Sequence, residues 1–214
     1  MFDTVIANGT LVTAEATLRA DLGILDGQIA AVSADLAGRE RVDATGMLVL
    51  PGAIDEHVHL QMPVGEFASS DDFYTGTVAA ACGGTTTVID FVEARPGQPL
   101  LEALAARRAE ADGKVAVDYG LHMTLSRADD ATLAQIPASI AAGAASFKLY
   151  MAYQGLRLDD GELLRALAAL GRAGGQVLVH AENHHAADSG PSVVRGLAGG
   201  GARHAGSVAP RTAG

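Results

Sequence analysis

The segment 54–60 has the sequence IDEHVHL and is the first of five short apolar segments that decide the predicted fold. The others begin at Thr85 (TTTVIDF), Ala116 (AVDYGLHMTL), Ser146 (SFKLYMA) and Gln176 (QVLVHAEN), at intervals of 31, 31, 30 and 30 residues. A repeat of about 30 residues is the length of one β-strand and its crossover helix. The spacing therefore predicts alternating strands and helices.

Helix boundary signals lie between these segments. The predicted helices begin at Ser70-Asp71-Asp72, Pro99, Asp129 and Asp159, and three of them end at Gly83-Gly84, Gly143 and Gly174-Gly175. Short apolar strands that alternate with helices predict an α/β fold with a covered parallel sheet. Both a TIM barrel and an open doubly wound sheet satisfy this pattern. No Gly-x-Gly-x-x-Gly follows the first strand, which weakens a dinucleotide-binding interpretation.

The first fifty residues have a different pattern, typical of small β units. Asn8-Gly9 and Asp26-Gly27 each separate two short apolar runs. Such dipeptides supply the positive φ angles of two-residue hairpin turns. We therefore predict two hairpins in an N-terminal β segment.

Composition narrows the class of protein. The 214 residues have 49% hydrophobic side chains and a net charge of −10, so a broad nucleic-acid-binding surface is not expected. The single cysteine, Cys82, excludes an internal disulfide and suits a reducing compartment, and its alanine-rich surroundings predict a buried packing role. No apolar run is long enough to span a bilayer, and the N-terminus lacks a basic signal-peptide region. We expect a cytoplasmic protein without nucleic-acid or membrane partners.

Polar side chains lie at the end of the first predicted strand. Asp55, His57 and His59 are spaced two apart, so in a strand they would share a face and both imidazoles would reach one metal ion. The alternative is a pair of ordinary histidines on a half-buried strand. The pair alone does not decide between the two.

Two later strands carry further unusual residues. Lys148 lies in the apolar segment SFKLYM, where an unpaired amine is costly unless the side chain extends to the strand end. His180 lies at the carboxyl end of the fifth strand, the side where TIM-barrel enzymes place their chemistry. The coincidence of these residues with the histidine pair at strand ends one, four and five favours a functional site.

The sequence resembles the cyclic amidohydrolases, and among them the dihydropyrimidinase/hydantoinase branch. The resemblance covers residues 3–183 through the segments PGAIDEHVHL, DDFYTGTVAAACGGTTTVIDF, SFKLYMAYQG and VHAEN, which occur in this order. It implies a metal-dependent TIM barrel, here incomplete with about five strand-helix units, and an N-terminal β-sandwich segment.

The resemblance also implies a set of site residues. His57 and His59 would bind one divalent ion and His180 a second, while Lys148, carboxylated by carbon dioxide, would bridge the two. Tyr153 would donate a hydrogen bond to the developing oxyanion. Zinc is the expected metal, with manganese or cobalt as alternatives. The implied partner is a small cyclic amide, and the implied assembly is a homodimer or homotetramer.

The resemblance implies hydrolysis of dihydropyrimidines or hydantoins to N-carbamoyl amino acids. In dihydroorotases the motif after the first strand resembles His-x-His-Leu-Arg, whereas this chain has Gln61 in place of the arginine. Allantoinase and dihydroorotase nevertheless stay as alternatives within the superfamily.

The predicted organisation has three parts. Residues 1–50 form the N-terminal β segment, 51–183 the first part of the barrel, and 184–214 an atypical tail rich in glycine, alanine and arginine. The family's later metal ligands find no match after Asn183. The alternative function is therefore a truncated, catalytically inactive dihydropyrimidinase-like protein that acts through assembly, and we expect this chain alone to be inactive.

Overall fold

The computed structural model describes residues 1–64, 66–144 and 146–188. The first seven strands are β1 (Phe2–Ala7), β2 (Thr10–Val12), β3 (Thr17–Arg19), β4 (Asp21–Leu25), β5 (Gln28–Ser33), β6 (Gly38–Asp43) and β7 (Leu48–Val49). The elements that follow are β8 (Ala53–Asp55), β9 (Pro63–Val64), β10 (Phe67–Ala68), α1 (Phe73–Cys82), β11 (Thr85–Glu93), α2 (Leu100–Ala111) and β12 (Asp118–Thr124). The last are α3 (Asp130–Leu133), α4 (Ile136–Ala141), β13 (Ser146–Tyr150), α5 (Asp160–Ala173), β14 (Gln176–His180) and α6 (His184–Asp188).

The N-terminal strands form two sheets, in the orders β5-β4-β1-β6 and β3-β2-β7. The predicted hairpin at Asp26-Gly27 is confirmed: β4 and β5 pair antiparallel, and the two turn residues have φ angles of 51° and 73°.

The predicted hairpin at Asn8-Gly9 is wrong, because β1 and β2 belong to different sheets. The backbone N–H of Asn8 donates to Asp21 Oδ1, which directs the chain out of the first sheet. A Cβ atom at Gly9 would lie 2.6 Å from Val49 Cγ2, so only glycine fits where the second sheet begins. The dipeptide thus joins two sheets instead of closing a hairpin.

A second sheet system begins at β8. Five strands lie in the order β14-β13-β12-β11-β8, and every neighbouring pair is parallel. The two outermost strands of this sheet within the described residues are β14 and β8. The five predicted strands and their parallel arrangement are confirmed.

The two faces of this sheet differ. Leu121, Met123, Phe147 and Leu149 belong to one apolar cluster on the helix-covered face. The same cluster includes residues of α2, α4 and α5, among them Leu104, Ile136 and Leu170. Successive residues of a strand point to opposite faces, so the residues between these apolar positions lie on the other side. That side holds His122 and Lys148.

The helix ends follow the predicted signals with one exception. Asp72 and Asp159 form capping boxes at α1 and α5, and Gly174 ends α5 in the left-handed conformation with φ 75°. The helix predicted from Asp129 to Gly143 is instead divided into α3 and α4. Pro137 lies in the first turn of α4, and its ring and missing N–H prevent a continuous helix through this point.

Two smaller predictions are corrected. The first barrel strand is short and ends at Asp55, before the histidine pair. Cys82, predicted to be buried, is exposed at the end of α1. No helix in the described ranges has the length and apolarity to cross a membrane. Most of the predicted tail, residues 189–214, lies outside the described residues, and its first part includes α6.

Candidate functional site

The histidine pair lies in the segment directly after β8. The ring centroids of His57 and His59 are 5.1 Å apart in an edge-to-face arrangement. Asp55 does not join them on a strand face as predicted, since its carboxylate accepts the backbone N–H of His57 at 3.1 Å and shapes the turn. Phe91, at the end of β11, packs against both imidazoles with centroid distances of 4.7 Å. The two histidines are therefore adjacent and supported by one aromatic ring.

The segment is fixed again immediately after His59. The backbone N–H of Leu60 donates to Asp90 Oδ1 at 3.4 Å, and the guanidinium of Arg107 donates to Leu60 O at 2.6 Å. Arg107 also pairs with the buried carboxylate of Asp90 and stacks over the Phe73 ring, 4.6 Å from its centroid. Asp90 and Arg107 thus hold both peptide groups of Leu60.

Lys148 lies on β13 beside the same aromatic ring. The side chain is only 5% exposed, and its Nζ lies 5.9 Å from the Phe91 centroid and 5.2 Å from that of Tyr150. No hydrogen bond or ion pair of Nζ occurs within the described part of the chain. Burial lowers the pKa of the Lys148 amine. Deprotonation of this amine is therefore easier than that of an exposed lysine.

The three side chains also interact electrostatically. Desolvation lowers the pKa of His57, and the neighbouring Lys148 charge lowers it further. Desolvation, followed by the charge of His57, lowers the pKa of His59. The pKa shifts of all three groups therefore point toward the neutral forms, which are the forms that bind metals or react as nucleophiles.

His180 ends β14 next to a tyrosine pair. Its ring stacks on Tyr150 at a centroid distance of 5.8 Å and lies 5.0 Å from Tyr153. Glu182 Oε2 lies 2.9 Å from His180 Nε2 and accepts the hydroxyl of Tyr153 at 3.4 Å. Glu182 therefore joins the imidazole to the phenol.

Tyr153 has an unusual backbone. Its φ angle is 71°, in the left-handed region that costs a residue with a bulky side chain about 1 to 3 kcal/mol. The chain continues with backbone hydrogen bonds from Leu156 and Arg157 to the Tyr153 carbonyl, which hold this turn. The turn directs the phenol toward His180.

The structure thus places all five predicted site residues along one edge of the parallel sheet. The Phe91 ring lies beside His57, His59 and Lys148. The Tyr150 ring lies beside Lys148, His180 and Tyr153. The sequence interpretation missed Phe91, Tyr150 and Glu182. All three lie near the carboxyl end of a predicted strand. That position is the sequence signal by which they could have been identified.

Two buried polar atoms at this edge lack partners among the described residues. They are His59 Nδ1 and Thr124 Oγ1. Thr124 is the β12 residue paired with Lys148 in the sheet, so the two side chains share a face. Buried polar atoms are nearly always satisfied, and those that are not point to an additional bound group. The described residues contain no cluster of three or more His, Cys, Asp or Glu side chains arranged to hold a metal.

A cavity of about 530 Å³ adjoins the site. Phe91 forms part of its wall, together with Glu93 and Arg95 from the end of β11. Burial raises the pKa of the Glu93 carboxyl. Phe91 lines this cavity, but none of the five predicted site residues does.

Comparisons with known proteins agree on one family. The sequence profile of the Amidohydrolase family matches residues 48–200. The D-hydantoinase of Geobacillus stearothermophilus is 47% identical over 182 residues, which cover 83% of this chain and 39% of that protein. The D-phenylhydantoinase of Escherichia coli is 41% identical over 182 residues, with the same coverage. The chain spans about two fifths of the length of the curated relatives it matches.

Solved structures give the same result. A D-hydantoinase crystal structure superposes with a TM-score of 0.85 at 41% identity, covering 91% of this chain and 43% of that one. The L-hydantoinase (dihydropyrimidinase) of Arthrobacter aurescens gives a TM-score of 0.77 at 30% identity, covering 94% and 45%. The curled five-stranded sheet corresponds to part of the barrel in these structures.

Proposed function

Because the chain belongs to the amidohydrolase family, within its hydantoinase branch, we propose that it serves the hydrolysis of hydantoins or dihydropyrimidines to N-carbamoyl amino acids. The observation that carries this proposal is the buried, unpaired Lys148 beside two adjacent histidines. A lysine in this environment has no structural partner to explain it. Carboxylation of its amine to a metal-binding carbamate would explain why a lysine lies there.

The residues present fit a pair of divalent ions. His57 and His59 would hold one ion and His180 the other, and the orphaned Nδ1 of His59 supports an additional bound group there. The neutral amine of Lys148 would attack carbon dioxide and form a carbamate with loss of one proton. The carbamate would add its negative oxygens to the imidazoles of His57, His59 and His180 as metal ligands. Imidazole and carboxylate-like ligands favour zinc, with manganese or cobalt as alternatives.

When bound, two such ions lower the pKa of a water toward about 7 and supply the hydroxide that attacks the amide carbon. The chain's own groups then stabilise the charge that develops. Tyr153 would donate its hydroxyl to the carbonyl oxygen of the substrate as that oxygen becomes negative. Glu182 now accepts this hydroxyl, so it keeps the phenol oriented until a carbonyl replaces the carboxylate.

The substrate choice rests on Gln61. Its amide donates to Glu110 Oε2 at 3.3 Å, and this neutral group offers no positive charge to a substrate carboxylate. This supports uncharged cyclic amides over dihydroorotate.

We also propose how the sheets are arranged in the complete fold. The five-stranded sheet would be part of a closed TIM barrel, and the two N-terminal sheets would form a β-sandwich. The domain limits 1–50, 51–183 and 184–214, the homodimer or homotetramer and the cytoplasmic location stay predictions.

The test is a substrate comparison in zinc or manganese with bicarbonate. We expect kcat/KM for dihydrouracil or a 5-substituted hydantoin to exceed that for dihydroorotate and allantoin by at least about 10-fold, a difference of about 1.4 kcal/mol. The variant Lys148→Met gives the background rate. A preference for dihydroorotate, or hydrolysis that persists in Lys148→Met, would contradict the proposal. A chain that binds no metal and hydrolyses none of these compounds would support the inactive, assembly-only alternative.

A further inference from the structure

His122 lies on β12, between the segment of His57 and His59 and the strand of Lys148. The residue is only 3% exposed, and its ring lies 4.9 Å from that of Phe91. Its Nε2 is 2.8 Å from the backbone oxygen of Glu56, and its Nδ1 is 2.6 Å from Ser146 Oγ. One buried imidazole thus contacts two separate parts of the chain.

The two partners determine the protonation of the ring. A backbone carbonyl only accepts hydrogen bonds, so Nε2 must carry a hydrogen and donate it to Glu56. In the neutral ring Nδ1 is then an acceptor and takes the hydroxyl hydrogen of Ser146. The Nε2–H tautomer satisfies both contacts without a charge on a buried ring.

Both hydrogen-bond partners of His122 lie close in the chain to proposed metal ligands. Glu56 directly precedes His57, and Ser146 lies two residues before Lys148 on β13. In the sheet, β11 lies between β8 and β12, so no strand ladder joins the end of β8 to β12 or β13. The His122 bonds supply that direct connection.

We propose that His122 is a positioning residue that fixes the separation between the histidine pair and Lys148. The inference rests on the proposed function, because the separation matters through the metal ions these residues would share. By donating to Glu56, the ring orients the peptide that leads into His57. By accepting from Ser146, it ties that peptide to the strand of Lys148. Groups that orient metal ligands in this indirect way commonly contribute 10- to 100-fold to metal affinity.

Three substitutions separate the two contacts. His122→Phe keeps a ring against Phe91 and removes both hydrogen bonds. His122→Gln places an amide donor near the Nε2 position, and His122→Asn places an amide near the Nδ1 position. We expect the Co²⁺ dissociation constant, measured in the full chain with bicarbonate by visible absorption, to rise about 10- to 100-fold in His122→Phe and His122→Asn. His122→Gln should weaken Co²⁺ binding as well, because it keeps the bond to Glu56 but loses the Ser146 bond that ties this peptide to the strand of Lys148.

The control must lose stability without touching this connection. Ser139→Ala serves, since Ser139 is buried in α4 and its hydroxyl donates to Gln135 O at 2.9 Å. This variant should lower the melting temperature and leave Co²⁺ affinity unchanged. Equal weakening of Co²⁺ binding in Ser139→Ala would show that general destabilisation, not positioning, causes the effect, and would overturn the inference.

A second measurement needs no metal. A long-range proton–nitrogen NMR spectrum of the chain should show the His122 hydrogen on Nε2, and a hydrogen on Nδ1 would overturn the assignment. If the unaltered chain binds Co²⁺ and His122→Phe binds it equally, only the positioning role fails. If the unaltered chain binds no Co²⁺, the metal site fails, and the positioning role fails with it.

Discussion

Phe147 and Leu149 point to one side of the parallel sheet and are fully buried against helices, whereas Lys148 between them points to the other side. The first side is closed by the chain's own apolar groups. The second side holds a lysine without a hydrogen-bond partner in the described residues and two orphaned polar atoms, at His59 and Thr124.

This difference separates two kinds of burial. A buried phenylalanine stabilises the fold by roughly 1.5 to 3 kcal/mol through the removal of apolar surface from water. The Lys148 side chain also removes its methylene groups from water, but its amine gains no hydrogen-bond partner among the described residues. The polar side therefore contributes to something other than stability, and substitutions on the two sides should have opposite consequences.

The largest effect is expected from Lys148→Met, which keeps the length of the side chain and removes the amine. Bound metal should be lost and hydrolysis should fall by more than about 10³-fold, since several kcal/mol of transition-state stabilisation are lost. In the metal-free state, stability against urea should be unchanged or higher by about 1 kcal/mol. Elemental analysis and urea unfolding check the two parts.

Lys148→Arg is the matched control for the lysine chemistry. A guanidinium stays charged and forms no carbamate, so this variant should also lose metal. Normal metal content in either variant would show that the amine has no part in holding the ions.

On the opposite side, Phe147→Ala should lower the free energy of unfolding by about 3 to 5 kcal/mol, because it leaves a cavity in a fully buried cluster. The metal content per folded chain should stay close to that of the unaltered protein. Urea unfolding and elemental analysis of the folded fraction check this prediction. If the folded fraction loses metal as completely as Lys148→Met does, the two sides are not separable.

Tyr153→Phe sharpens the comparison within the polar side. It removes the hydroxyl that bonds Glu182 and keeps the ring beside His180. We expect kcat to fall about 10²- to 10³-fold with little change in KM or metal content, as for other oxyanion donors. Steady-state kinetics with elemental analysis tests this, and a loss of metal parallel to the loss of rate would assign Tyr153 to metal binding instead.

The smallest effect is expected at the start of α1, whose Asp72 accepts the backbone N–H of Thr75 at 2.7 Å. Asp72→Ala should lower the melting temperature by about 2 to 4 °C at pH 7. Hydrogen bonds from Thr75 hold the pKa of Asp72 below its usual 3.8, so the folded state favours the ionised carboxyl. The difference between the two proteins should therefore be complete above about pH 5 and shrink as the pH falls below about 4.

Asp72→Asn is the control for this carboxyl. An amide oxygen keeps the cap but does not titrate, so its melting temperature should follow the unaltered protein at pH 7 and lack the acidic decline of this contribution. A pH-independent difference between the unaltered protein and Asp72→Ala would contradict the role of the charge.

The sequence predicted the regular part of the fold because its signals are local. Apolar segments at intervals near 30 residues marked the five strands, and aspartates and glycines marked most helix ends. Parallel strands end at one edge of a sheet, so residues at strand ends one, four and five were expected together, as the structure shows. In the structure, Phe91 and Tyr150 lie between these residues along the edge.

The failures arise where distant contacts decide. Asn8-Gly9 has the local signal of a hairpin, but Asp21 and Val49 direct the chain into a second sheet. His122 is buried, and its partners at Glu56 and Ser146 are separated from it by 66 and 24 residues. No local pattern shows such bonds, because they depend on how the strands close together.

Because Tyr153 has a left-handed backbone, substitutions that raise stability at this position would lower activity. A glycine or asparagine adopts this conformation at a lower cost, so selection for thermal resistance alone would replace the tyrosine. The same change removes the phenol proposed to act on the substrate. Libraries screened only for heat tolerance should therefore enrich inactive Tyr153 variants, and this position should be held constant when the protein is stabilised.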